Sequence, residues 1–295
     1  MAVKIICDAV SNLYPEILKN KNLDIKIMNM HLTLGDEEYI CYNGEFDIHE
    51  FSKTYYTKIS EGVKASTSLV NPSEFYRAFE EEIKNGNRVI CFTMAQGISG
   101  TYQSACIARD EINEKYAEEM VYVIDSMTAG FGEGLQAIHA YELAKSGLSY
   151  EDIKKKCEEY KMHVRSDFTV DNVKYLVKTG RAAKYLAKFI NLLKVKVLLK
   201  HNQESKIAFM GSVIGKKNSI KKLGKIVLDK IDRDVPQIIY ITHCNIMEEA
   251  LALKEVLVSG GLPNDIEIYE YDVISGAHIG PGSLAVFYLS KEIAD

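Results

Sequence analysis

Short, almost wholly apolar runs recur along the first half of this chain and restrict its fold more than any other feature. They are VKIIC (3–7), RVICFT (88–93) and MVYVID (120–125). Strands buried on both faces have this β-branched, apolar composition, which is typical of a parallel sheet covered by helices. The clearest helix signal between them is Asn71-Pro72-Ser73-Glu74, an N-cap, a proline at the first helical position and a glutamate three residues after the cap. We predict a mostly parallel sheet with helices on both faces.

The second half of the chain has six strand candidates and only three or four helix candidates. The strand candidates are FTVDN, VKVLL, KIAFM, QIIYIT, DIEIYEY and LAVFYL. Because strands outnumber helices, some strands must pair antiparallel, which gives a mixed sheet with helices. We therefore predict an α/β fold of two domains, residues 1–165 and residues 166–295, with the ligand in the cleft between them.

Composition excludes several functional classes for these 295 residues. A net charge of −5 lacks the basic character of nucleic-acid-binding domains, so no nucleic-acid partner is predicted. No apolar run approaches the roughly 18 residues that span a bilayer, and the beginning, MAVKIICDAV, is unlike a signal peptide. We expect no stable membrane insertion. The six cysteines and seven histidines show no metal-ligand spacing, so no metal or cofactor is predicted, and reduced cysteines favour the cytoplasm.

The segment MAQGISGT (94–101) follows an apolar strand candidate and leads into a helix candidate. A helix that begins near Gly100 leaves free backbone N–H groups, and its dipole favours negative charge. Gly97 and Gly100 let the backbone approach a ligand closely, as in sites for carboxylates or phosphates. An ordinary turn between a strand and a helix uses the same residue types, so both interpretations stay open.

Ser99 in this segment is either a nucleophile or a hydrogen-bond donor. The nucleophile elbow of hydrolases is Gly-x-Ser-x-Gly, whereas this chain has Gly97-Ile98-Ser99-Gly100-Thr101. The second glycine comes one position early, which argues against a conventional elbow.

Two further segments carry candidate ligand contacts. Ser66, Thr67 and Ser68 form a row of hydroxyls in the predicted loop 64–74, where they either satisfy their own backbone or donate to a ligand oxygen. Arg181 follows Gly180, which we predict to end one helix, and is itself predicted to begin the next. A cation is unfavourable at a helix start, so Arg181 either binds an anionic ligand or lies in solvent.

The segment ISGAHIGPG places His278 in a loop tightly shaped by glycines and a proline. A lone histidine is usually structural, but this setting makes His278 a candidate for ligand contact. The predicted helix 216–230 carries six lysines and one aspartate along an apolar stripe. It is either a solvated helix face or a docking surface for an acidic partner.

Five segments together resemble a known family. GISGTYQSA, STS before Asn-Pro, VIDSMTAGFGEGL, TGRAAK and ISGAHIGPG occur in the order, and at roughly the spacings, of the DegV family of bacterial fatty-acid-binding proteins. The resemblance extends from about residue 3 to residue 290. It implies two α/β domains with a fatty acid between them, the carboxylate at the domain junction and the tail in an apolar tunnel.

The resemblance also implies roles for particular residues. Thr67 and Ser99 would bind the carboxylate and Ser68 would support them. Arg181 and His278 would lie nearby, and Gly100 belongs to the same predicted site. In some members of the family the protein presents the fatty acid to a separate kinase, which makes acyl-phosphate from ATP.

This chain departs from the family pattern in two places. The family begins with Asp-Ser-Thr-x-Asp-Leu after its first strand, whereas this chain has Asp8-Ala9-Val10-Ser11-Asn12-Leu13, so two hydroxyls are lost. An arginine often precedes the lysine pair of the basic helix, and here Gly215 precedes Lys216 and Lys217. Because arginine and lysine differ in bidentate contacts, the contacts of this helix with a kinase would differ from those of members that have the arginine.

We expect a carrier that binds a long-chain fatty acid without transforming it, with no catalytic residue of its own and a fatty-acid kinase as a candidate partner. The alternative is a serine acyl hydrolase with Ser99 as nucleophile and His278 as base. It requires Ser99 Oγ within about 3 Å of a histidine nitrogen and a third group that orients the histidine. A third hypothesis, a binding module for another small anion that uses the basic helix as contact surface, requires a short polar cleft.

Overall fold

The computed structural model describes residues 1–42, 47–181, 183–190, 192 and 194–293. In its first half, helices lie between the three apolar runs, as predicted. The elements are β1 (Ala2–Asp8), α1 (Pro15–Asn20), β2 (Ile25–Met28), β3 (His31–Leu34), β4 (Glu37–Ile40), α2 (Ile48–Ser60), β5 (Ala65–Thr67), α3 (Pro72–Lys84), β6 (Asn87–Thr93), α4 (Thr101–Tyr116), β7 (Val121–Asp125), α5 (Phe131–Lys145) and α6 (Tyr150–Lys161).

The three apolar runs of the first half form one parallel sheet. Its strand order is β2-β1-β6-β7, and every neighbouring pair is parallel. Helices α3 and α4 pack on each other and on β6, whereas α5 packs on α6 and on β1. The predicted capping of α3 is confirmed: Asn71 Oδ1 accepts from the Glu74 backbone N–H at 3.1 Å, and Glu74 Oε2 accepts from the Asn71 N–H at 2.9 Å. The predicted parallel sheet with its helices is confirmed.

A small antiparallel sheet, β4-β3-β5, was not predicted. Its strands have four residues or fewer, too short to show a clear alternation of apolar and polar residues. The interpretation of 64–74 as a loop was wrong for its first part, because residues 65–67 pair with β3. Thr67 lies opposite Leu32 in this pairing. The hydroxyl row therefore stands on a fixed strand, and its last member, Ser68, follows the strand end.

The second half contains all six predicted strands. The elements are β8 (Val164–Val170), α7 (Lys174–Lys178), β9 (Val195–His201), β10 (Ile207–Ile214), α8 (Lys216–Lys230), β11 (Ile239–His243), α9 (Met247–Ser259), β12 (Ile266–Glu270), α10 (Val273–Ile279) and β13 (Leu284–Leu289). They form one sheet in the order β10-β9-β8-β13-β11-β12, in which only β11 and β12 are parallel. The predicted mixed sheet is confirmed.

The two halves meet along a well-packed junction. The ring of Phe131, at the start of α5, stacks on Tyr240 of β11 with centroids 4.2 Å apart. Asn12 Nδ2 donates to the Glu270 carbonyl at 2.8 Å, and the Asp272 N–H donates to Asn12 Oδ1 at 3.1 Å. The first strand of the six-stranded sheet along the chain is β8, which begins at Val164. The domain division between residues 165 and 166 stays a prediction.

The six cysteines are all buried and unpaired. Burial raises the pKa of the Cys41 and Cys157 thiols to about 12, so both stay protonated at neutral pH. They behave as small core side chains. Within the described ranges, no helix is long and apolar enough to cross a membrane.

Candidate functional site

A cavity of about 740 Å³, counted with its open mouth, lies between the two halves of the molecule. Its walls include β5 and the 94–100 loop from the first half, and β8, α7 and α10 from the second half. Every residue of the predicted site lines it: Thr67, Ser68, Ser99, Gly100, Arg181 and His278. Residues more than 200 positions apart in sequence are thus brought to one cavity.

The Ser99 loop connects β6 to α4, and α4 begins at Thr101 with Gly100 as its N-cap, as predicted. Ser99 Oγ accepts from the Thr101 backbone N–H at 3.2 Å and lies 2.9 Å from Thr101 Oγ1. A Cβ atom at Gly97 would lie 2.3 Å from the backbone oxygen of Ser205, so only glycine fits there. The loop is therefore held in place by the neighbouring β9–β10 hairpin.

His278 lies in the last turn of α10, so the prediction that it stands in a loop was wrong. Thr67 and His278 are in direct contact, Thr67 Oγ1 lying 3.0 Å from His278 Nε2. His278 Nδ1 is buried and has no hydrogen-bond partner among the described residues. Burial, and secondarily the charge of Arg181, lowers the pKa of His278 to about 4. The imidazole is therefore neutral at pH 7, with one nitrogen as donor and the other as acceptor.

Arg181 does not begin a helix, and that prediction was wrong. Gly180 has a φ of +73°, and the Arg181 N–H donates to the Leu176 carbonyl at 2.9 Å, which closes the end of α7. The next helical segment, a 3₁₀ helix, begins at Lys184. The Arg181 guanidinium donates to the Thr179 carbonyl, and within the described ranges no carboxylate pairs with it. Burial lowers the pKa of Arg181, but a guanidinium stays charged at neutral pH.

Ser68 is tied to the small sheet as well as to the cavity. Its Oγ accepts from the His31 N–H at 3.3 Å, and its own N–H donates to the His31 carbonyl at 3.0 Å. These bonds prolong the pairing of β3 with β5 by one residue. They fix the strand end that carries Thr67.

The rest of the cavity wall is largely apolar. Leu176 of α7 is fully buried, and Phe168 of β8 is 3% exposed. Other apolar wall residues are Met30, Met94, Ala129, Ile207, Ile274 and Ile279. The cavity thus has a polar part that contains hydroxyls, an imidazole and one cation, and a larger apolar part that suits a hydrocarbon chain.

Three polar residues of the cavity wall were not predicted from the sequence: His201, Tyr271 and Ser275. His201 and Tyr271 lie at or next to strand ends, and Ser275 lies in the first turn of α10. No motif marks these positions, since single polar residues at element ends are common in any α/β chain.

The hydrolase arrangement is not formed. Ser99 Oγ is bonded to Thr101, and the described residues contain no hydrogen bond from Ser99 to a histidine. The base candidate, His278, is bonded through Nε2 to Thr67, and no residue that the structure describes orients it through Nδ1. A serine nucleophile needs both contacts.

The residues after β1 that depart from the family pattern lie in the core. Ala9 and Val10 are fully buried, and neither lines the cavity. The neighbouring carboxyl group of Asp8 accepts from the Val10 N–H at 2.8 Å and from the Met94 N–H at 3.0 Å. Burial raises the pKa of Asp8 to about 6. Asp8 therefore supports the cavity wall from behind, at Met94.

The basic helix α8 lies outside the cavity wall, since none of its residues is among those that line the cavity. Its first residue, Lys216, pairs with Glu249 of α9 at 2.8 Å, and Lys217 is exposed. In the described part of the chain, no group of histidine, cysteine and carboxylate residues is arranged to hold a metal ion.

Comparison with known proteins gives a consistent result. The model of the DegV family, described as uncharacterised proteins, matches residues 2–291. A DegV domain-containing protein of Clostridium perfringens is 33% identical over 269 residues, 91% of each chain. DegV of Bacillus subtilis, a fatty acid binding protein, is 26% identical with a TM-score of 0.80, over 99% of this chain and 100% of that chain. A DegV family protein of Eubacterium eligens loaded with heptadecanoic acid has a TM-score of 0.82 at 19% identity, over 98% and 100% of the two chains.

Proposed function

The chain belongs to the DegV family, and from this membership we propose that it binds a long-chain fatty acid. One observation carries the proposal: the six residues of the predicted site and a largely apolar wall line the same cavity. The carboxylate would lie at the polar part, between the two halves of the molecule. The acyl chain would lie along Phe168, Leu176 and Ile274.

The polar part suits a carboxylate without a metal ion. Thr67 and Ser99 offer hydroxyl donors, and the start of α4 behind Gly100 offers backbone N–H groups. Arg181 supplies the positive charge, and hydrogen bonds to a charged group contribute about 1.5–3 kcal/mol each. His278 Nε2–H would donate to Thr67 Oγ1, so that the Thr67 hydroxyl keeps its proton for the carboxylate.

The apolar wall would supply most of the affinity. Each buried methylene contributes about 0.8 kcal/mol, so some 14 methylenes offer on the order of 11 kcal/mol before the cost of ordering the chain. This large apolar contribution favours a lipid over a small anion, for which a short polar cleft would suffice.

We propose a carrier that does not transform its ligand, because the Ser99–His278 pair needed for hydrolysis is not formed. Presentation of the bound acid to a separate fatty-acid kinase is the finer proposal, with Lys216 and Lys217 of α8 as candidate docking residues. Six buried, unpaired cysteines support a reducing location such as the cytoplasm.

The test is mass spectrometry of lipid extracted from the purified protein, together with the Ser99→Ala variant. We expect a fatty acid at near-stoichiometric amount, and about five- to tenfold weaker binding in Ser99→Ala, since one hydrogen bond contributes about 1 kcal/mol. The absence of fatty acid both in the extract and after incubation with octadecanoic acid would contradict the proposal. Hydrolysis of a chromogenic ester that Ser99→Ala abolishes would instead support the hydrolase.

A further inference from the structure

Tyr271 interrupts the apolar wall of the cavity with a phenol group. The residue is 3% exposed and lines the cavity; among the described residues its backbone carbonyl accepts from the Tyr56 hydroxyl, whereas its own hydroxyl takes part in no hydrogen bond. Two other buried tyrosines have partners within the protein: Tyr55 donates to the Val273 carbonyl at 2.9 Å, and Tyr288 donates to Asp167 at 2.7 Å. A buried hydroxyl usually has a partner, because leaving it unpaired is costly.

Packing fixes the position of this phenol. The Tyr271 ring meets Phe287 edge-on with centroids 6.1 Å apart. A Cβ atom at Gly130 would lie 3.0 Å from the Tyr271 hydroxyl oxygen, and Gly130 has a φ of +64°, which favours glycine. The hydroxyl therefore lies beside the backbone of residues 129–130. Ala129 and Tyr271 both line the cavity, so the phenol lies in the part of the wall next to Ala129.

A second polar group in the same cavity wall is also unsatisfied. His201 Nδ1 lies 3.1 Å from Ser166 Oγ, whereas Nε2 is buried and has no partner among the described residues. Burial lowers the pKa of His201 to about 4, so its ring is neutral. His201 and Tyr271 come from different strands, β9 and the end of β12, so the two observations are independent.

A plain hydrocarbon chain would leave these polar groups unpaired. A site built to hydrogen-bond an oxygen of its ligand discriminates against the analogue that lacks it. Resting on the proposed function, we infer that the preferred ligand is a fatty acid with a hydroxyl or keto oxygen along its chain, received by the Tyr271 hydroxyl. His201 is a second contact for the same substituent or for one further along the chain.

The experiment is competitive displacement of a fluorescent fatty acid by octadecanoic acid and by the positional series of hydroxyoctadecanoic and oxooctadecanoic acids. We expect one position to bind about tenfold more tightly than octadecanoic acid, the effect of one satisfied buried hydrogen bond. Tyr271→Phe should abolish this preference. Tyr122→Phe is the matched control, because it removes a phenol that bonds Glu158 away from the cavity wall, and it should retain the preference.

The inference is overturned if no isomer binds more tightly than octadecanoic acid, or if the preference survives in Tyr271→Phe. Either result leaves octadecanoic acid bound, and so leaves the proposed function intact. Failure of the proposed function looks different, since no acid of the series would then displace the probe. Tyr271→Phe should bind octadecanoic acid at least as tightly as the unmodified protein, which also shows that the variant is folded.

Discussion

The polar and apolar parts of the cavity are built in different ways. The polar part is assembled from the ends of elements, namely the last residue of β5, the start of α4, the end of α7 and the last turn of α10. The apolar part comes from side chains such as Phe168 and Leu176, which lie inside elements and also belong to the core. A few hydrogen bonds would therefore hold the carboxylate of a ligand, whereas packing against side chains of the core would hold its acyl chain. Single changes should therefore affect the two parts to different degrees.

The largest effect is expected in the apolar part. Leu176→Glu places a carboxylate where Leu176 is fully buried in the cavity wall. Burying an unpaired charge costs more than any one head-group contact contributes, so bound lipid should fall about 100-fold or more. The measurement is the molar ratio of fatty acid to protein in the purified variant.

The control for this change is Leu251→Glu, which makes the same substitution at a residue of α9 that is 52% exposed. It should leave the lipid ratio unchanged, and circular dichroism should show both variants folded. If folded Leu176→Glu protein retains its lipid, this wall does not hold the acyl chain.

Much of the fold was predictable from the sequence. The runs at 88–93 and 120–125 are apolar because β6 and β7 are central or covered strands, and their composition alone indicates a parallel sheet. The small sheet β4-β3-β5 was missed, since strands of three or four residues show no reliable period. The end of α7 was misjudged for a related reason: Gly180 marks the helix end correctly, but nothing local shows that the backbone of Arg181 completes that end.

The candidate site was predictable only where motifs exist. Ser99 and His278 lie in glycine-rich segments, and the family resemblance placed both of them at the ligand. The Thr67–His278 bond joins residues 211 positions apart, a pairing that no local pattern indicates. Tyr271 and His201 carry no motif, and their interest comes from unpaired polar atoms that only a three-dimensional structure reveals.

A substitution of Arg181 tests the polar part of the cavity, and we expect an intermediate effect on affinity. Arg181→Gln removes the only cation among the cavity-lining residues that the structure describes, since His278 and His201 are neutral. The loss of a charged hydrogen bond, about 1.5–3 kcal/mol, predicts roughly 10- to 150-fold weaker binding of octadecanoic acid. Titration calorimetry measures this affinity.

The matched variant is Lys184→Gln, which removes an exposed cation three residues further along the chain. Its affinity for octadecanoic acid should change little, because exposed charges in water contribute little. Equal effects of the two substitutions would mean that Arg181 acts only through the long-range field of the protein, and the carboxylate would then lie elsewhere.

The smallest effect concerns the stability of the lipid-free protein in acid. The pKa of His278 is lowered to about 4 from an ordinary value of 6.5, chiefly by burial. The folded state therefore takes up its proton later than the unfolded state as the pH falls. The stabilisation from the neutral ring is complete above pH 6.5 and is lost progressively as the pH falls towards 4.

His278→Gln removes this contribution and keeps an N–H donor for Thr67 Oγ1. The free energy of unfolding should then depend less steeply on pH between 6.5 and 4, by at most about 1.4 kcal/mol per pH unit, the limit for one proton. Urea unfolding at several pH values measures the slope. His139 and His201, whose pKa values are also lowered to about 4, keep part of the slope in both proteins. An unchanged slope in His278→Gln would mean that the His278 ring is hydrated and lies in the polar mouth of the cavity.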